Sequence, residues 1–110
     1  MIKESKSETI FVIITNESDS KKANKLATII LKSKCAACVS YGDIKSAYWW
    51  EGRIEESKEV QILIKTNKIN LEKTIDLIAE NHSYKNPEIL HWKVFSSSLY
   101  KEWVDNTLIN

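Results

Sequence analysis

Glycine and proline are almost missing from this chain, with two of the first and one of the second among 110 residues. So little punctuation means few, long elements. Two cysteines, Cys35 and Cys38, are too few for a disulfide scaffold, and a reducing cytoplasm is the expected home. An excess of either charge is also lacking. The 16 Lys+Arg balance 15 Asp+Glu to a formal +1, which leaves no net field for nucleic acid or an anionic membrane surface. No apolar run approaches the ~20 residues of a membrane span. The stretch Met1 to Glu8 is polar and lacks the apolar segment of a secretory signal. With two histidines, an imidazole metal site has only His82 and His91 to draw on.

What remains is ordinary globular material, 43% hydrophobic and 28% charged. A chain of this length buries roughly two-thirds of its unfolded surface, enough for a core without staples. One domain over residues 1–110 is expected, with residues 1–7 as a flexible tail.

Ile10 to Ile14 is a continuous β-branched and aromatic run, the pattern of a central strand buried on both faces. Asn16 to Ser20 offers turn and N-cap chemistry. Ala23, Leu26, Ala27, Ile30 and Leu31 follow at helical spacing, and Lys32 and Lys34 suit the negative end of the helix. From Ala37 to Trp50 the pattern alternates as a strand, Glu51-Gly52 turns, and Arg53 to Thr66 returns. Asn67 or Asn70 can cap a second helix with Leu71, Ile75 and Ile78 on its apolar stripe and Thr74 and Leu77 at the margins. Residues 81–87 break it, Glu88 to Phe95 reads as a fourth strand, and Ser96 to Ser98 cap a short third helix. The first six elements have the order of the α+β ferredoxin-like βαββαβ sandwich, here with a long β2–β3 hairpin and an extra C-terminal helix.

The hairpin decides the expected assembly. Strands of about 14 residues far exceed the usual ~5–6 and make a ribbon about 45 Å long. Arg53 to Glu59 is too charged for a core strand, and Tyr48-Trp49-Trp50 must emerge on both ribbon faces. Open edges and exposed aromatics invite a neighbouring copy. The alternative within one chain is that the third helix folds over the aromatics.

Three segments resemble the CutA family of divalent-cation-tolerance proteins: Ala36-Ala37-Cys38-Val39, Tyr48-Trp49-Trp50-Glu51-Gly52-Arg53, and His82-Ser83-Tyr84-Lys85-Asn86-Pro87-Glu88. Lys65-Thr66 and Tyr100 to Trp103 fit as well, so the likeness runs from about Glu8 to Leu108. The resemblance implies a tight homotrimer with hairpins reaching across subunit boundaries, similar in architecture to PII-type signalling trimers. It implies a part in tolerance of copper and other divalent cations, and in some animals the anchoring of a membrane enzyme. The family's biochemical activity is poorly defined.

In copper-associated members the ligand set resembles one cysteine and two adjacent histidines. Thr15, Asn81 and His82 stand at those positions here, so His82 is the only ligand kept. One imidazole beside a hydroxyl and an amide is a poor copper site, and copper prefers imidazole and sulfur. Cys35-Ala36-Ala37-Cys38 follows a helix instead of opening one, the reverse of a redox pair, and structural packing is the expected role. Trp50, Glu59, Lys65, His82, Tyr84, Glu88 and Trp103 are similar to the family's lining of clefts between subunits, where a metal ion or small molecule could sit. The Lys–Glu pairs among them can equally fix trimer register. Ser83 stands where the family usually has proline and is expected to loosen the loop before Tyr84 modestly. Trp92 is expected in the core and His91 on a sheet face or interface. Catalytic machinery is not expected, nor a nucleic-acid or membrane partner, and no cofactor is certain beyond a possible copper or other divalent cation.

Overall fold

β1, Thr9–Glu17, extends three residues beyond the apolar run from which it was read. The computed structural model describes residues 8–109, and the expected tail over residues 1–7 lies outside them. After β1 come α1 (Ser20–Lys32), β2 (Cys38–Trp50), β3 (Arg53–Thr66), α2 (Lys68–Asn81), β4 (Leu90–Phe95) and α3 (Ser98–Thr107). The strands form one antiparallel sheet in the order β2-β3-β1-β4, the expected α+β ferredoxin-like arrangement.

Each helix begins where a side chain takes up an orphan backbone N–H. Asp19 accepts from the Lys22 amide at 2.8 Å and opens α1. Asn67 accepts from the Asn70 amide at 3.1 Å and opens α2, while Ser97 accepts from the Tyr100 amide at 3.3 Å and opens α3. At the hairpin tip Glu51 and Gly52 both have positive φ, 49° and 80°, the paired left-handed residues of a tight two-residue β-turn.

Strand alternation assigns the two sheet faces. Ile13, Val60, Ile62 and Ile64 pack under Ala23, Leu26 and Ile30 of α1 and Ile78 of α2. Ile10 lies an odd number of residues from Ile13, hence on the opposite face, where it joins Val104 and Leu108 of α3. α1 and α2 therefore cover one face and α3 covers one end of the other. Leu90 and Trp92 share that second face with Ile10 and Val12 but remain 53% and 42% exposed. Trp92 is thus not a core residue of this chain, because α3 is too short to reach across the sheet.

Three other expectations are corrected. Asn16 and Glu17 were read as turn residues, yet both lie in β1 and are buried, opposite Gln61 and Val60 of β3. The apolar stripe of α2 is shifted: Asn70, Thr74 and Ile78 are its buried residues, with Leu71, Ile75 and Leu77 half-buried. Polar side chains tolerate that position because each finds a partner. Thr74 donates to the Cys35 carbonyl at 2.8 Å, joined there by Thr66 at 2.6 Å, and the Asn70 amide reaches Asn67 at 2.8 Å. β4 also begins at Leu90, two residues later than read.

The ribbon projects as expected. Overall dimensions are 52 × 26 × 20 Å, and the radius of gyration is 15.4 Å against about 13 Å for a compact chain of this length. Trp49 and Trp50 are 73% and 60% exposed, so α3 does not fold over them.

Candidate functional site

Register brings the candidate residues to one place. Tyr48 pairs with Glu55, Ser46 with Ser57 and Ile44 with Glu59, so these side chains share a ribbon face. Asn16 pairs with Gln61 on β3, which by alternation has the same facing as Glu59. The loop between α2 and β4 then runs past the end of β1 and delivers Tyr84 and Glu88. The result is a groove of about 790 Å³ at the root of the hairpin, with Trp50, Glu59, Tyr84 and Glu88 among its lining. Four of the seven cleft residues read from the sequence meet here.

Lys65 and Trp103 lie elsewhere on the same sheet face. The Lys65 ammonium stands 5.7 Å above the Tyr100 ring, which packs at 5.6 Å against Trp103. This cluster belongs to α3 and its seat, and within one chain it does not join the groove.

The loop is held by a buried carboxylate that the sequence reading did not single out. Glu17 is 1% exposed. Its Oε2 accepts the Ser83 amide at 3.0 Å, and its Oε1 accepts the Ser83 hydroxyl. Ser83 therefore ties the loop down, contrary to the loosening expected from its replacing a proline. A proline there would have no N–H to donate and no hydroxyl. The signal lay in Asn16-Glu17 themselves: two polar residues that complete a strand pattern also complete a turn pattern, and only pairing separates the two.

His82 packs its ring 4.9 Å from Tyr84, with a side chain that is fully buried. The Tyr84 amide donates to Nδ1 at 3.0 Å, which makes that nitrogen an acceptor and leaves Nε2 to carry the proton of the neutral ring. Glu17 Oε2 stands 3.5 Å from the same Nδ1, a contact that becomes an ion pair only in a doubly protonated ring. Among the described residues, Nε2 is buried with no partner, as are Thr15 Oγ1 and Asn16 Oδ1. Tyr84 in turn donates its hydroxyl to Glu59 at 2.9 Å. Burial first, then this bond and the Glu59 charge, push the Tyr84 hydroxyl well above its ordinary value.

The residues at the family's copper positions do not make a copper site within the chain. The Asn81 amide donates to the carbonyl of Leu77 at 2.9 Å and is turned to its own helix. Thr15 contributes a hydroxyl and His82 a single ring nitrogen, a donor set with no sulfur and one imidazole. Among the described residues, no group of three or more His, Cys, Asp and Glu is positioned to hold a metal ion. Cys35 is buried and its thiol points to the Ile30 carbonyl at 3.5 Å, while Cys38 is half-buried at the start of β2. Cys35 is part of the core packed between the sheet and α1 and α2.

A family model described as CutA1 divalent ion tolerance protein matches residues 11–107. This chain belongs to the CutA1 family. Among curated relatives, the CutA divalent-cation tolerance protein of Yersinia pestis is 33% identical over 100 residues, covering 89% of this chain and 84% of its own. The chloroplastic CutA 1 protein of Oryza sativa is also 33% identical over 100 residues, and the match spans 55% of its length. The solved CutA of Synechococcus elongatus has a TM-score of 0.91 at 29% identity, covering 97% of this chain and 96% of that one. The periplasmic divalent cation tolerance protein CutA of Archaeoglobus fulgidus has a TM-score of 0.85 at 30% identity, covering 93% and 100%. CutA1 relatives therefore carry both chloroplastic and periplasmic descriptions. Among the described residues of this chain, no helix is long and apolar enough to cross a membrane.

Proposed function

We propose that this CutA1 chain acts as a homotrimeric divalent-cation tolerance protein of the cytoplasm, a binding module without enzymatic activity. Its clefts between subunits take a small ligand or, weakly, copper or another divalent cation. The observation that carries the reading is apolar surface left exposed on the ribbon and on β4. Trp49, Trp50 and Ile54 on the ribbon, with Leu90, Trp92 and Phe95 on β4, are each between 42% and 77% exposed. A ribbon with such a surface gains by burying it against other copies. In that assembly Lys65 and Trp103 of one copy can complete a groove holding Trp50, Glu59, Tyr84 and Glu88 of another. His82 Nε2 is buried with no partner among the described residues, and it would meet a cation only after giving up its proton. Light scattering of dilute protein should give three times 12.7 kDa. Titration with copper should give weak heat that disappears on His82→Ala. A stable single subunit would refute the assembly, and copper heat unchanged in the variant would refute the metal role.

A second reading is a structural, PII-like interaction trimer with no metal site. It is favoured by the Asn81 amide being engaged with Leu77 and by the poor donor set around His82. Partner capture that is lost on Trp50→Ala, with no copper heat in the unaltered protein, would select it.

A further inference from the structure

The groove at the root of the hairpin carries more anionic than cationic side chains. Glu55, Glu59 and Glu88 line it, and Lys45 is the one cationic side chain among its lining residues. Tyr84 spends its hydroxyl proton on Glu59. Asn16 sits beside these carboxylates, 7% exposed. Its Nδ2 reaches Glu88 Oε2 at 3.4 Å, while its Oδ1 is buried without a donor among the described residues. A buried carbonyl oxygen in that state carries a desolvation penalty until an N–H or O–H reaches it. Tyr48, Trp50 and Tyr84 add aromatic side chains to the wall, which Ser46, Ala47, Ser57 and Asn86 also line.

These features select one ligand chemistry. Three carboxylates outnumber Lys45 even when a second copy brings in its Lys65, so an anion would be repelled. A bare divalent ion wants three or more converging oxygen, nitrogen or sulfur donors, and the acidic side chains here do not converge in that way. An ammonium group brings three N–H donors and one positive charge, and an attached hydrocarbon suits aromatic walls, where a cation over a ring face is itself attracted.

We propose that this groove binds a small organic amine as its ammonium ion, donating to Asn16 Oδ1 and the carboxylates of Glu59 and Glu88, with its hydrocarbon against Trp50 and Tyr84. This names the ligand class for the cleft in the function proposed above and rests on that cleft being a binding site. It does not require His82 to hold a metal.

The test is calorimetric titration of the full chain with 1,5-diaminopentane in low-salt buffer, with 1-pentanol, magnesium chloride and sodium phosphate as comparison solutes. The diamine should bind, the other three should not, and added salt should weaken the binding. Glu88→Gln and Glu59→Gln should each weaken it roughly tenfold or more, the loss of one charge-assisted hydrogen bond. Glu88 is exposed, so its variant keeps the fold. The tryptophan fluorescence change on binding should vanish in Trp50→Phe. Absence of heat at millimolar diamine, equal heat from phosphate or magnesium, or unchanged affinity in both glutamine variants overturns the proposal. Light scattering and copper titration on the same samples keep the two ideas apart. A trimer that takes copper but no diamine refutes this inference alone, and a single subunit that binds diamine refutes the trimer alone.

Discussion

Replacing Ser83 with alanine removes one of the two donors that Ser83 gives to a carboxylate with almost no access to water. Glu17 is 1% exposed, and Ser83 supplies both an amide at 3.0 Å and a hydroxyl. The third polar neighbour, His82 Nδ1, is already an acceptor for the Tyr84 amide and gives Glu17 no proton in the neutral ring. Removing the hydroxyl leaves a buried anion one bond short, a loss of about 1.5–3 kcal/mol. Ser83→Pro removes both donors and strands the charge, which should cost about 3–5 kcal/mol. For a chain of this size about 4 °C accompanies each kcal/mol, so Ser83→Ala should lower Tm by about 6–12 °C. Urea and thermal unfolding at pH 7 measure this, at one protein concentration because association would move the midpoint. Glu17→Gln and the double variant close a mutant cycle, and the two changes should couple by about 1 kcal/mol or more. Ser83→Ala within about 0.5 kcal/mol of the unaltered protein would refute the reasoning, as would strict additivity.

Other outcomes follow from single contacts. Tyr84→Phe should cost about 0.5–1.5 kcal/mol at pH 7 through loss of the Glu59 bond. The Tyr84 hydroxyl is held above its ordinary value in the fold, so this contribution is fully present below about pH 10 and fades as pH rises further, which unfolding across alkaline pH would detect. Burial raises Asp105, but hydrogen bonds from Lys101 and Asn67 and the Lys101 charge outweigh it and hold the carboxyl below its ordinary value. Its link between α2 and α3 should therefore hold above the ordinary carboxylate range and weaken as pH falls through its lowered value. Comparison with Asp105→Asn over acidic pH measures that difference. Glu51→Asn should stabilise the hairpin turn by a few tenths of a kcal/mol, because Asn tolerates φ of 49° better than Glu, and urea midpoints would show it.

Much of the fold was legible because its signals are local. The alternation of Val60, Ile62 and Ile64, the Glu51-Gly52 turn and the cap at Asn67 each depend on near neighbours, and all stand where they were read. The ribbon's charged strand and aromatic tip declared themselves as exposed surface in the same way. Harder were residues whose role depends on a distant partner. Asn16 and Glu17 look like turn residues until β3 pairs with them, and Thr74 looks marginal until the Cys35 carbonyl meets it.

The sequence by itself determined the order of elements, the length of the hairpin and the family, since periodicity, turn residues and motif spacing are written along the chain. The tertiary structure alone decided that Ser83 fastens its loop to a buried Glu17, that Trp92 stays exposed, and that Asn16 enters a groove with Glu59 and Glu88. Those outcomes depend on which atoms lose water together. Residues 66 positions apart, such as Glu17 and Ser83, become neighbours only when strand pairing and helix packing close the space between them.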